Sequence, residues 1–194
     1  SSNGVNHATV LPFTRLLSGP MDYTPGVFKL NNFRYVSPGS NVIDENAIIP
    51  STLAKELALY VVYYSPMQMA ADLPKHYQSH YDAFEFIKQV PVIWEKKKII
   101  NSKIGEYITI ARKELNSENW YLGSITNENK RNFTISLDFL KENRNYLATI
   151  YSDTKNTNWK NNQMEYHIKS IDVNKNSKLD IFLAEGGGTA IQFK

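Results

Sequence analysis

Phe133–Leu137 reads FTISL, with Phe133, Ile135 and Leu137 on one face of an extended chain and Thr134 and Ser136 on the other. Side chains of a strand point alternately to opposite faces, so this run describes a strand with one apolar and one polar side. Tyr107–Ala111 (YITIA) alternates in the same way. Outward from these, short β-rich runs occur at Trp120–Thr126, Tyr146–Tyr151, Tyr166–Ile171, Leu179–Leu183 and Thr189–Phe193, separated by polar clusters such as NENKRN and DVNKNSK. Strands of this length and spacing predict an antiparallel sandwich rather than strand–helix–strand units. Each sheet is expected to bury one face and wet the other.

The whole chain has 194 residues, enough for one domain or two small ones. A hydrophobic fraction of 42% with 12 Tyr, 9 Phe and 3 Trp supplies a core and excludes a disordered chain. The longest apolar stretch, Leu57–Tyr64, is far shorter than the ~20 residues of a membrane-spanning helix. There is no amino-terminal signal pattern and no cysteine, so neither disulfides nor thiolate chemistry enter. A net charge of +3 is too small to argue for nucleic acid.

Composition shifts near Gln89–Pro91. All 8 prolines lie at or before Pro91. Residues 1–90 carry 6 Lys/Arg against 7 Asp/Glu, whereas residues 91–194 carry 16 against 12. This places a domain boundary there, with the strands in the second part. In the first part His7–Leu11 is a strand candidate leading into a Pro- and Gly-dense block, Pro12–Gly26. Ser51 or Thr52 can cap a helix, Glu56 suits its early dipole, and Pro66 helps to stop it. Within Leu53–Ser65 only Lys55 and Glu56 are charged. A helix so apolar all round is expected to be buried on most sides, more sides than ninety residues with one or two helices supply.

HATVLPFTRLLSGPMDYTPGVF (His7–Phe28) and TLAKELALYVVYYSPMQMAADLPKHY (Thr52–Tyr77) resemble the carboxy-terminal stretch of glycoside hydrolase family 97. VPVIWEKKKIINSKIGEYITIARK (Val90–Lys113), NWYLGSITNENKR (Asn119–Arg131) and the closing LAEGGGTAIQF continue the resemblance in the family's own order. The family contains α-glucosidases and α-galactosidases of Bacteroides-type bacteria. The fold class it implies is mixed: residues 1–90 as the tail of a (β/α)8 barrel (last strand, loop and helix), then residues 91–194 as an all-β antiparallel sandwich. A complete barrel takes ~250 residues and carries its active site at the carboxy-terminal strand ends. The loop after His7–Leu11 is then the part that faces substrate, and His7, Arg15, Asp22 and Tyr23 are the candidate substrate-binding residues.

The resemblance implies an α-linked oligosaccharide substrate, a parent polypeptide supplying the remainder of the barrel, and a periplasmic or envelope location in a Gram-negative bacterium. Glycosidic cleavage needs two carboxyl groups flanking the bond. The family's carboxylates, and the glutamates that hold its calcium ion, are expected largely upstream, so the chain should contain no catalytic residue and bind no calcium by itself. Where inverting members are expected to carry a glutamate before the His of this block, the residue is Asn6, marking a different carboxylate arrangement or an altered site.

Structural readings stand beside the functional ones. His7 is either a pocket residue or a hydrogen-bond partner within the fold, Arg15 and Asp22 can pair with each other, and Tyr23 can stack on sugar or fill the rim. His76 and His80 lie four apart without the glutamate of a zinc helix. Asp172–Asp180 mimics a calcium loop, but Ser177 replaces its glycine and Leu183 its last glutamate, which favours a turn. Lys96–Lys98 reads as a solvated strand edge, and Gly186–Gly188 precedes a strand, not a phosphate-cradling helix. Trp94, Trp120 and Trp159 are expected in packing rather than in a sugar platform. The competing function is a free-standing, noncatalytic carbohydrate-binding or interaction sandwich, which would have no use for the Pro12–Gly26 loop.

Overall fold

The computed structural model describes residues 4–36, 39 and 43–194. A single helical turn, α1 (Gly4–His7), leads through two 3-10 turns (Leu11–Phe13 and Arg15–Ser18) to a hairpin of β1 (Phe33–Val36) and β2 (Ile43–Ala47). Three helices follow: α2 (Leu53–Val62), α3 (Pro74–Gln78) and α4 (Tyr81–Gln89). The rest is strand: β3 (Trp94–Lys103), β4 (Tyr107–Glu114), β5 (Trp120–Thr126), β6 (Arg131–Ser136), β7 (Asn145–Asp153), β8 (Tyr166–Asn174), β9 (Lys178–Leu183) and β10 (Gly188–Phe193).

Six strands form an antiparallel sheet in the order β3-β4-β5-β10-β7-β8, and β6 pairs with β9 as a separate two-stranded ribbon. The ribbon covers one face of the large sheet, burying Leu122, Ile135, Leu140, Ile181, Ile191 and Phe193 between them. Helices α2 and α4 cover the other face, with Leu57, Val61, Phe86, Tyr121, Ile125 and Tyr151 in that second layer. Strands β4 to β10 fall on the seven runs that the sequence predicts, whereas β1, β2 and the full length of β3 are not predicted. The expected wet face, however, is missing at the centre, because every residue of β5 and of β10 is buried. Layers on both sides turn these two strands into continuous runs, WYLGSIT and GTAIQF, instead of alternating ones.

Helix α2 starts where its cap residue predicts: Thr52 accepts from the Lys55 amide at 3.2 Å. All ten of its residues are buried. The expectation that its neighbours must come from outside is corrected, since the sheet itself supplies them. Glycines permit the approach. A Cβ on Gly123 of β5 would stand 2.5 Å from the Ala58 carbonyl, and one on Gly188 of β10 would stand 2.7 Å from the Lys55 Cα.

The strand expected at His7–Leu11 is also corrected. The Thr9 and Val10 amides donate to the Asn6 and His7 carbonyls at 3.0 and 3.1 Å, and the Thr9 hydroxyl adds a bond to Asn6. A strand needs a neighbour for its backbone groups. Among the described residues the single such bond runs from the Gly105 amide to the Thr9 carbonyl, so the segment satisfies itself locally as turns.

Candidate functional site

A cavity of about 430 Å³ opens between α1, the segment Tyr23–Val27 and one side of α2. His7, Leu11, Tyr23, Ser51, Lys55, Glu56 and Tyr63 line it. Of the four candidate residues, His7 and Tyr23 meet here. Arg15 and Asp22 are exposed and do not line the cavity. No ion pair joins those two among the described residues; the Arg15 guanidinium instead donates to the Pro20 carbonyl at 3.3 Å.

Helix α2 organises the cavity wall. Tyr63 donates its hydroxyl to the Ala8 carbonyl at 2.9 Å, and its ring stands edge-on to Tyr23 at 4.6 Å. One Glu56 oxygen accepts from the Gly26 amide at 3.1 Å and from Val27 at 3.4 Å. Gly26 has φ 82° and lies under Tyr60, whose hydroxyl donates to the Pro25 carbonyl, so a side chain there would meet both strain and the ring. Burial raises the Glu56 carboxyl above its ordinary range, against the bonds from Ser51, Gly26 and Val27 and the charge of Lys55. Burial likewise raises the Tyr23 hydroxyl, with the Glu56 charge adding to it.

Lys55 is fully buried, and its ammonium donates to the carbonyls of Val5 at 3.2 Å and Thr126 at 3.1 Å. Burial pulls its pKa down to about 8, opposed by Glu56 and Asp153. Asp153, at the end of β7, is also buried and is pushed up to about 6 by desolvation, while the amides of Ala184 and Gly188 donate to it at 3.1 and 2.8 Å. This explains the glycine triplet. A Cβ on Gly187 would stand 1.9 Å from Asp153, Gly188 faces Lys55, and Gly186 has φ 65° beneath Trp159. The readable sign of the cluster was two charges in an otherwise apolar helix, since charges are buried only when paired or hydrogen-bonded.

Elsewhere His76 pairs with Asp72 at 2.6 Å and His80 meets the Tyr166 hydroxyl at 3.3 Å. Among the described residues no three His, Asp or Glu side chains gather as a metal-binding group. Asn174 and Ser177 close the β8–β9 connection as a turn through mutual hydrogen bonds. Lys96–Lys98 lie on the edge strand β3. Trp120 packs on Phe139 at 5.0 Å and Trp94 on Tyr121 at 5.7 Å. No described helix is long and apolar enough to cross a membrane.

The sequence model of the glycosyl hydrolase 97 C-terminal, oligomerisation domain matches residues 93–194. A retaining α-galactosidase of Bacteroides thetaiotaomicron is 33% identical over the full chain, which spans 28% of that enzyme. A probable retaining α-galactosidase of Streptomyces bingchenggensis is 32% identical over 62% of this chain, or 16% of its own length. A glycoside hydrolase family 97 enzyme of Pseudoalteromonas sp. strain K8, solved in complex with panose, superposes with a TM-score of 0.91 at 45% identity, covering 99% of this chain and 29% of that one. The chain thus spans less than a third of these relatives, and it belongs to glycoside hydrolase family 97.

Proposed function

We propose that this chain is the carboxy-terminal part of a longer glycoside hydrolase that cleaves α-linked oligosaccharides. Residues 1–90 complete a (β/α)8 barrel in this reading, and residues 91–194 form the sandwich that closes the polypeptide. The carrying observation is that one enzyme superposes on 99% of the chain, helical half and sheet together. A free-standing binding module would match through its strands alone. The identity is higher to the enzyme that takes panose, an oligosaccharide of glucose, than to the α-galactosidase, 45% against 33%. That difference supports α-glucosidic over α-galactosidic bonds.

The chemistry expected of the parent divides between this chain and the remainder. Two opposed carboxyl groups are required. Glu56 is the one carboxylate lining the cavity, and it is committed to the Gly26 and Val27 amides. The acid and its partner therefore come from elsewhere in the polypeptide, while His7 and Tyr23 offer a ring nitrogen and an aromatic face to a sugar. In this reading the parent's calcium ligands lie in the upstream part; among the described residues no three His, Asp or Glu side chains gather. A periplasmic or envelope location accords with the polysaccharide-processing role.

Activity measured on two polypeptides tests this reading. The full-length protein should hydrolyse nitrophenyl α-glucoside faster than nitrophenyl α-galactoside, and the 194-residue chain neither. Turnover by the short chain, abolished by Asp22→Asn, would overturn the assignment of the catalytic groups to the upstream part.

A further inference from the structure

Helix α2 has two faces with different contacts. Ala58, Val61 and Val62 rest on β5 at Gly123, and Lys55 faces Gly188 of β10 while its side chain borders the cavity that Glu56, Leu59 and Tyr63 line. Two donors of α2 reach the α1 segment, Lys55 from the sheet side and Tyr63 from the cavity side. The Lys55 ammonium binds the Val5 carbonyl at 3.2 Å, and the Tyr63 hydroxyl binds the Ala8 carbonyl at 2.9 Å. These two acceptors flank His7 in the chain. The same ammonium is anchored on the Thr126 carbonyl at the end of β5, and the Tyr63 ring abuts Tyr23.

We propose that Lys55 and Tyr63 are positioning residues that hold His7 and Tyr23 as one wall of the sugar site, so that the sandwich, acting through α2, sets the geometry of substrate binding. The inference rests on the reading that the cavity faces an oligosaccharide. Its physical basis is the weakness of α1 by itself: a single turn of four residues does not hold its own conformation in water. A buried ammonium keeps its acceptors because giving them up strands a charge in an apolar layer. A helix whose every residue is buried is a stiff support for both contacts.

Two variants separate positioning from simple loss of fold. Tyr63→Phe removes one hydroxyl and keeps the ring; Lys55→Met removes the ammonium and keeps an apolar stem. In the 194-residue chain, amide exchange at Thr9 and Val10 should accelerate ~10-fold or more in each variant, and the His7 ring resonances should shift. Exchange at Leu122 and Ile191 in the core should stay as in the wild type. Unchanged rates at Thr9 and Val10, or acceleration only in step with Leu122 and Ile191, would overturn the proposal. In the full-length protein Tyr63→Phe should raise KM for the nitrophenyl glycoside ~5-fold with kcat within about twofold, whereas partial unfolding would lower kcat and leave KM. An unchanged KM would also overturn it. If the wild-type full-length protein cleaves neither glycoside, the glycosidase reading fails, and the exchange measurement still decides whether Lys55 and Tyr63 hold His7.

Discussion

The Arg112 guanidinium of β4 donates to the Val61 carbonyl at 2.6 Å and reaches Val62 at 3.4 Å, closing the last turn of α2 from across the sheet. Carbonyls at a helix end lack partners within the helix, and positive charge there is favourable. Arg112 is buried; desolvation lowers its pKa to about 10, which leaves it charged at neutral pH, and it also lies over the Tyr64 ring. Arg112→Met should therefore destabilise the chain by ~2–4 kcal/mol, because it leaves buried carbonyls unpaired. Arg112→Lys keeps the charge but not the planar fork, and should lose less. Urea unfolding of the two variants checks the order.

Gly123 tests the helix–sheet contact from the other side. Its missing Cβ is where the Ala58 carbonyl passes, with Val61 and Val62 at 3.0 Å. Gly123→Ala should cost ~1–3 kcal/mol by overpacking and lower the melting temperature by several degrees. An unchanged melting temperature would mean that α2 can move off β5 at little cost.

The buried ions give a pH dependence whose sign differs by group. Lys55 has a folded pKa of about 8, below its usual 10.5, with Glu56, Asp153 and Glu128 opposing the depression caused by burial. The unfolded chain then binds more protons between these values, so stability rises with pH from about 8 upward and is lost as pH falls through 8. Tyr60 and Tyr63 are raised above 10 by burial, so they withdraw stability once pH exceeds that value. Asp153, raised to about 6 by burial, acts with Lys55 as one coupled pair and removes stability as pH climbs from 3.8 through 6. Unfolding free energies should thus increase from pH 8 to a maximum near pH ~10 and then fall. In Lys55→Met the alkaline rise should vanish while the fall above the maximum stays.

Legibility of the sequence followed the source of the physical signal. Strands such as Phe133–Leu137 showed themselves by alternation, and α2 by the Thr52 cap. β3 (WEKKKIINSK) was legible only at Lys96–Lys98, read as a solvated strand edge, because an edge strand pairs on one side only and its lysines face water. α4 was missed because its buried face is just Ala83 and Phe86. His7–Leu11 reads as a short strand, yet no partner strand lies beside it among the described residues, and turns won. Resemblance brought His7 and Tyr23 forward. Lys55 and Tyr63 were not found, although a lysine inside an apolar helix was a visible anomaly that long-range contacts alone could explain.

Those contacts also decide where the chain opens first. α2 lies between the sheet and the cavity wall, bonded through Arg112 at one end and through Gln163 at the other, where the Leu53 amide donates to the Gln163 carbonyl at 3.0 Å. The Gln163 side chain in turn donates to the Ser51 carbonyl at 3.0 Å. Opening the helix therefore exposes the apolar layer on β5 and β10, at ~1.5–3 kcal/mol for each large side chain. A few such side chains approach the ~5–15 kcal/mol that typically separates folded from unfolded domains. Amides of Leu57–Val62 should consequently exchange as slowly as those of β5 and β10, through global unfolding. Residues 11–20, with Leu17 77% exposed and only local turns, should exchange fastest. Hydrogen exchange by mass spectrometry reads both. Fast exchange across α2 with a protected sheet would mean that the helix is held only weakly, and that the glycine-lined seat on β5 is not what anchors it.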